Sequence, residues 1–243
     1  MMSRNLSVAS SPSSRDLRRP RHRLQAKRAL DIAAASFGLI SSAPIMLPAM
    51  FLVWRQDRSS PFYISQRVGQ GGGNFRMIKL RSMVVGADST GVDSTSEVDV
   101  RITGVGHFIR RYKLDEVAQL VNVLRGDMSL VGPRPNVRRE TDLYTDIERN
   151  LLSVKPGITD FASIVFADEG KILEGREDPD IAYNELIRPG KSKLGLFYIE
   201  HRTIGVDLRI CWLTGLGIVS RGRALTGVSK LLASLGASSE LVE

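Results

Sequence analysis

Cysteine is almost missing from this 243-residue chain. With Cys211 alone, no disulfide can close within the chain and no cysteine-based zinc site can be assembled. Histidine is nearly as scarce: His22, His107 and His201 are the only three, and no two have metal-ligand spacing. The body therefore reads as one facing a reducing compartment. The glycines at 69, 71, 72 and 73 are accompanied by neither a GK[S/T] loop nor a strand–GxGxxG–helix unit, so they read as a turn. No internal repeat is visible. The apolar run starts too late, and lacks the small-residue cleavage site, to be a secretory leader.

Excess charge is present but confined. Arg4, Arg15, Arg18, Arg19, Arg21, Arg23, Lys27 and Arg28 face one acid, Asp16, so +7 of the net +8 falls within residues 1–28. The remainder is close to neutral and lacks the broad basic face that binds nucleic acid. Basic residues directly preceding an apolar segment suit anionic lipid headgroups, at about 1 kcal/mol each. "SVASSPSS" gives the first half of this tail the composition of a disordered, solubilising segment.

Ile32 to Trp54 is an uncharged run of 23 residues, about 35 Å as a straight helix against a hydrocarbon core of about 30 Å. Ser41, Ser42, Ala43 and Pro44 sit at its centre and Pro48 follows. Each proline removes a helical donor and crowds the carbonyl four residues back, a deficit the serine hydroxyls could relieve. Basic residues flank both ends, which keeps both on the cytoplasmic side. These features predict either two short helical legs, Ile32–Ser42 and Ile45–Trp54, dipping into one leaflet, or a proline-kinked single span.

Downstream, "PFYISQRVG" and "NFRMIKLRSM" predict a β-hairpin, and residues 86–99 a polar loop. A helix is expected from Asp115 to Arg125 with Gly126 ending it, then a short strand at "MSLVG" and an amphipathic helix from Asn136 to about Val154. "DPDIAYNELI" and "KSKLGLFYIEH" predict helices separated by Pro189-Gly190. "VDLRICWLTGLGIVSR" fits a helix at a membrane interface or in the core.

Asp115 and Glu116 open the predicted helix, where adjacent acids ordinarily just complement the helix dipole. Their company suggests more. Arg110 and Arg111 lie about one turn upstream, Lys79 and Arg81 end the second strand of the hairpin, and Arg134 is held in "GPRP". Carboxylates with several guanidiniums suit a phosphate ester.

"KRALD…SSAP", "SQRVGQGG", "KLRSM", "DVRITGVGHFIRRYKLDEVAQLVNVLRGDMSLVGPRP" and "VKPGIT" strongly resemble the bacterial sugar transferases, the monotopic polyprenyl-phosphate hexose-1-phosphate transferases. The resemblance runs from about Lys27 to Thr159 and more weakly to about Ser220. It implies an α+β protein: a re-entrant membrane helix hairpin broken at Ser42–Pro44, then a small, mainly helical cytoplasmic catalytic domain with a short β-hairpin and interfacial amphipathic helices. The expected divisions are a basic tail over 1–26, a membrane segment over 27–55, a catalytic domain over 56–220 and a C-terminal tail over 221–243. The resemblance further implies a UDP-sugar donor, a polyprenyl phosphate acceptor, Mg²⁺, a cell inner membrane location, Asp115 as nucleophile and Glu116 as metal ligand. Arg110, then Lys79, Arg81 and Arg134, are the expected phosphate contacts. A homodimer is compatible with this reading.

"PGITDFASIVF" departs from the family's frequent "PGITGxxQVxGR", so donor preference does not carry over. Two competing readings remain: a metal-dependent glycosyltransferase using Asp178-Pro179-Asp180, and a non-catalytic membrane adaptor for polysaccharide assembly.

Overall fold

The computed structural model describes residues 21–90, 99–175 and 178–242. All but the last six residues of the basic tail lie outside that range, as does most of the polar loop at 86–99.

Helix α1 (Arg21–Asp57) contains both Pro44 and Pro48. The break expected at Ser42–Pro44 is therefore corrected: the two predicted legs are one helix. Each proline deletes only a single donor. The hydroxyls of Ser41 and Ser42 donate to the Gly38 and Leu39 carbonyls at 3.3 and 3.2 Å, not to that of Ile40, the carbonyl Pro44 would have served. Before the prolines Asp31 and Ala35 are buried, Ala35 against Met77 and Val123; after Pro44, Met46, Ala49 and Val53 are buried against Leu80 and Ile109. The opposite side is apolar too, with Phe37, Ile40, Leu47 and Phe51 all more than half exposed.

Both ends of α1 are tied to the same body. Lys27 pairs with Asp207 at 2.6 Å, Arg28 donates to the carbonyls of Val123 and Leu124, and Asp31 accepts from Ser129 Oγ. At the other end Asp57 receives both Nη groups of Arg81.

The predicted hairpin forms from β1 (Phe62–Val68) and β2 (Asn74–Leu80), with Phe62 opposite Leu80 and Val68 opposite Asn74. Helix α2 (Gly104–Arg111) follows, and the helix expected over 115–125 appears as α3 (Leu114–Val117) and α4 (Leu120–Arg125). The two pieces bury into different clusters, which explains the split. Leu114 and Ala118 pack with Met46, Val53 and Ile109, whereas Val123 packs with Ala35, Met77 and Met128. Gly126 ends α4 as expected, at φ 90°, a conformation favourable to glycine.

Asn122, fully buried on α4, joins the hairpin to this helix. Its Oδ1 accepts from Ile78 N at 2.9 Å, and its Nδ2 donates to the Arg76 carbonyl at 2.7 Å. Asn122→Ala leaves two backbone groups of β2 without these partners and is expected to lower unfolding free energy by about 2–4 kcal/mol, read from denaturant melts.

Strand β3 (Ser129–Val131) pairs in parallel with β4 (Gly157–Thr159). Between them, α5 (Arg138–Thr141) and a 3-10 segment at Glu148–Ser153 replace the amphipathic helix expected over 136–154. Local side-chain bonds compete with the helix there: the Glu148 carboxylate accepts from both the N–H and the hydroxyl of Thr145. Next come α6 (Phe161–Val165), α7 (Glu169–Ile172), α8 (Pro179–Ala182) and a π-turn, Tyr183–Ile187. The turn leads directly into α9 (Arg188–His201), so Pro189-Gly190 lies inside the start of a helix and separates nothing. Proline in a first turn has no helical bond to lose.

The chain closes with α10 (Ile204–Val219), α11 (Arg221–Ser234) and α12 (Ser239–Val242). Helix α10 buries Val206, Ile210 and Leu213 and exposes Leu208, Trp212 and Val219. Residues 221–242, set apart in the sequence as a tail, belong to the body: Ala224, Val228, Leu231 and Leu232 join Phe161, Tyr198 and Ile210 in the largest core cluster.

Candidate active site

Asp115 and Glu116 occupy the first turn of α3, directly after Lys113 at φ 53°. A positive φ is uncommon for a non-glycine residue, and here it falls at the junction between α2 and α3. Across this junction Arg110, in the last turn of α2, is within electrostatic reach of Asp115. Thr103 caps α2 by accepting from Gly106 N at 2.9 Å. A Cβ on Gly106 would lie 1.8 Å from the Ser82 carbonyl oxygen, so only glycine permits this approach. The same contact lets Arg110 Nε donate to Ser82 Oγ at 3.1 Å.

The remaining cations arrive from distant segments. Lys79, on β2, faces both carboxylates of the dyad and Arg134. Arg134, just past β3, donates Nη1 to Glu116 Oε1 at 2.8 Å. Arg81 is a correction to the expected set. Its Nη1 and Nη2 bind Asp57 at 2.5 and 2.7 Å and its Nε donates to the Ser60 carbonyl at 2.8 Å. It is committed to holding the end of α1 and lies outside the dyad. The parity of a strand does not determine this, because β2 stops at Leu80 and Arg81 turns away.

Electrostatics separate the two acids. Burial pushes the Asp115 carboxyl above its ordinary value and the neighbouring Glu116 adds to this, while Lys79, Arg110 and Arg134 oppose it. Glu116 experiences burial as well, yet Arg134, Lys113 and Lys79 overcome it and hold its carboxyl at about 2. Burial lowers Lys79 to about 8, with Arg134 acting in the same direction. Glu116 is therefore a permanent anion and Lys79 a cation on the edge of losing its proton.

Arg134 also borders a cleft lined among others by Asn136, Asp160, Tyr183, Arg188 and Lys191. None of these last four carries a local sequence signal. They come from the segment after β4, from the π-turn and from α9, and only the β3–β4 pairing brings them beside Arg134.

Two adjacent carboxylates faced by Lys79, Arg110 and Arg134 form a cluster whose cations suit an anionic ester. Residues 22–221 match the family model described as "Bacterial sugar transferase". The chain belongs to the bacterial sugar transferase family. It is 37% identical over 204 residues to "Galactosyl transferase CpsE" of Streptococcus agalactiae serotype III, covering 79% of this chain and 41% of that one. It is 37% identical over 209 residues to "UDP-N-acetylgalactosamine-undecaprenyl-phosphate N-acetylgalactosaminephosphotransferase" of Aeromonas hydrophila, covering 79% and 44%. "Uncharacterized sugar transferase EpsL" of Bacillus subtilis is 35% identical over 188 residues, covering 77% and 84%. The chain thus spans less than half the length of the first two relatives.

Proposed function

We propose that this protein moves a hexose-1-phosphate from a UDP-hexose to polyprenyl phosphate, through an acyl phosphate on Asp115, at the start of exopolysaccharide or O-antigen-type glycan assembly. The observation that carries the reading is the placement of Asp115 among Lys79, Arg110 and Arg134 with Glu116 beside it. The printed name of the Aeromonas hydrophila relative supports both donor and acceptor classes.

In the first step a carboxylate oxygen of Asp115 attacks the β-phosphorus, and the bond from that phosphorus to the bridging oxygen breaks as UMP leaves. In the second, an oxygen of polyprenyl phosphate attacks the same phosphorus and its bond to the Asp115 oxygen breaks, restoring the carboxylate. Burial that raises the Asp115 pKa also makes the ionised form the better nucleophile, while Lys79, Arg110 and Arg134 favour that form. Arg110, Lys79 and Arg134 offset the repulsion between this anion and the diphosphate.

Among the described residues no group of three His, Cys, Asp or Glu could hold a metal unaided. Glu116 nevertheless fits Mg²⁺, which commonly takes one or two carboxylates and completes its shell with substrate phosphates and water. Its Oε1 is on Arg134, and its Oε2 takes no hydrogen bond from the described residues. Mg²⁺ held there would add positive charge beside the transferring phosphoryl group.

Membrane placement rests on α1. It is long and apolar enough to cross a membrane. That both its ends bind one body supports the reading in which its outward row of Phe37, Ile40, Leu47 and Phe51 enters a single leaflet, with the body proposed on the cytoplasmic face of the cell inner membrane. Anionic lipid would meet the basic residues preceding it. Tags at Met1 and Glu243 are then both reached from the cytoplasmic side; access to one from the opposite side overturns this topology.

Purified protein, a panel of UDP-galactose and UDP-N-acetylgalactosamine, and polyprenyl phosphate test the reaction. UMP is the expected product. UDP would instead support the metal-dependent glycosyltransferase, although Asp178 of its Asp-x-Asp candidate accepts from Ile181 N at the start of α8.

The lowered Lys79 sets a pH dependence. The free enzyme loses that ammonium charge as pH rises through about 8, so kcat/KM for the UDP-hexose is expected to fall along an alkaline limb near that value. Lys79→Arg keeps a charge at all these pH values and should flatten the limb. An unchanged limb in Lys79→Arg assigns it to another group.

A further inference from the structure

The cleft beyond Arg134 contains one acid whose chemistry the transfer reaction does not use. Asp160 is 2% exposed and immediately precedes α6. Its Oδ1 accepts from Ser163 N at 2.6 Å and from Ser163 Oγ at 2.7 Å. Its Oδ2 takes no hydrogen bond from the described residues, and the side chain lines the cleft. Oδ2 is thus a carboxylate oxygen at the cleft wall, open to donors on whatever enters the cleft.

The neighbouring cations do not fill this role. Lys191 pairs with Glu169, Arg134 with Glu116, and Arg188 lies 3.7 Å from Glu148. Lys191 and Arg134 each already have an acid, while Arg188 keeps a buried Nε without a hydrogen-bond partner among the described residues. A carboxylate oxygen accepts from O–H donors, so a hydroxyl-bearing group is the part of a ligand that Asp160 itself can hold. A UDP-hexose offers two such groups, the ribose and the hexose ring. The cleft starts at Arg134, which also touches the dyad, so one end of a diphosphate held at Asp115 can extend into it.

We propose that Asp160 is a specificity-determining residue of the donor site, its free carboxylate oxygen accepting hydrogen bonds from hydroxyls of a sugar ring of the UDP-hexose seated between Arg134, Tyr183 and Lys191. This rests on the transfer reading above for the identity of the donor. The residue reads the ring and takes no part in phosphoryl transfer. Asn is a good N-cap, so Asp160→Asn can keep the bonds to Ser163 while replacing the acceptor facing the cleft with an amide donor.

The test uses the full-length protein and the UDP-hexose best turned over in the panel above, with analogues lacking one hydroxyl at a time on the ribose or the hexose. In the wild type, removal of one or two adjacent hydroxyls is expected to lower kcat/KM by about 10–100-fold, because Asp160 is then left unpaired. Losses confined to ribose positions assign the nucleoside to this cleft, and losses confined to hexose positions assign the transferred sugar. In Asp160→Asn the parent donor should lose about tenfold, and the sensitive analogue should do no worse than the parent. The proposal is overturned if no single hydroxyl costs the wild type more than about twofold, or if the loss is the same in Asp160→Asn. The wild-type panel decides the matter even where the variant does not fold. Should the wild type release no UMP at all, the transfer reading fails separately, and calorimetric binding of the same analogues still tests Asp160.

Discussion

Asp115→Asn is expected to cut UMP release by at least about 10³-fold while leaving the fold intact, because the amide removes the attacking oxygen without changing side-chain volume. Trapping should agree: after exposure to UDP-hexose without lipid acceptor, the wild type gains the mass of a hexose phosphate and the variant does not. Stability should move the other way. A carboxyl whose folded pKa lies above its unfolded value weakens the folded state as pH rises from about 3.8 through the folded pKa, and the deficit persists above that. At neutral pH the uncharged Asp115→Asn variant is therefore expected to melt no lower than the wild type, and slightly higher where charge desolvation dominates. A residue that costs stability and is needed for turnover is what a functional site predicts. Turnover by the variant within a few-fold of wild type would remove Asp115 as nucleophile.

Arg134→Ala is the second large effect. Arg134 bonds Glu116 and borders the donor cleft, so truncation takes a cation from the diphosphate and a partner from a buried acid. We expect kcat/KM to fall by about 10²–10³-fold. Lys in its place should restore only some of this, since a point charge lacks the planar fork. Acid stability reports the pairing independently. Glu116, held at about 2, contributes stability that is fully present above about 4.5 and is lost as pH falls through about 2. Without Arg134 that contribution shrinks or reverses, so the gap in melting temperature between wild type and variant should narrow below pH 4.5. A gap independent of pH would mean that Arg134 acts through packing alone.

Arg81 and Arg134 illustrate how unevenly the site could be read from residue order. Both sit near apolar strands, and both resemble phosphate clamps in a linear reading. Arg81 meets Asp57 because α1 returns its last turn to the start of the hairpin. Arg134 meets Glu116 across 18 residues of chain, from just past β3 to the first turn of α3. Neither distance follows from spacing.

The sequence by itself determined the adjacent carboxylates at a helix start, the hairpin, the glycine at the end of α4 and the long apolar α1. Each of these is written in neighbouring residues: charge order, alternation of period two, backbone freedom, and a run free of charge. Tertiary structure alone decided which cations face the dyad, that α1 runs unbroken past its prolines, that α11 is core, and that Asp160 opens onto a cleft. Those outcomes depend on contacts between segments tens of residues apart, where burial and pairing outweigh local preference.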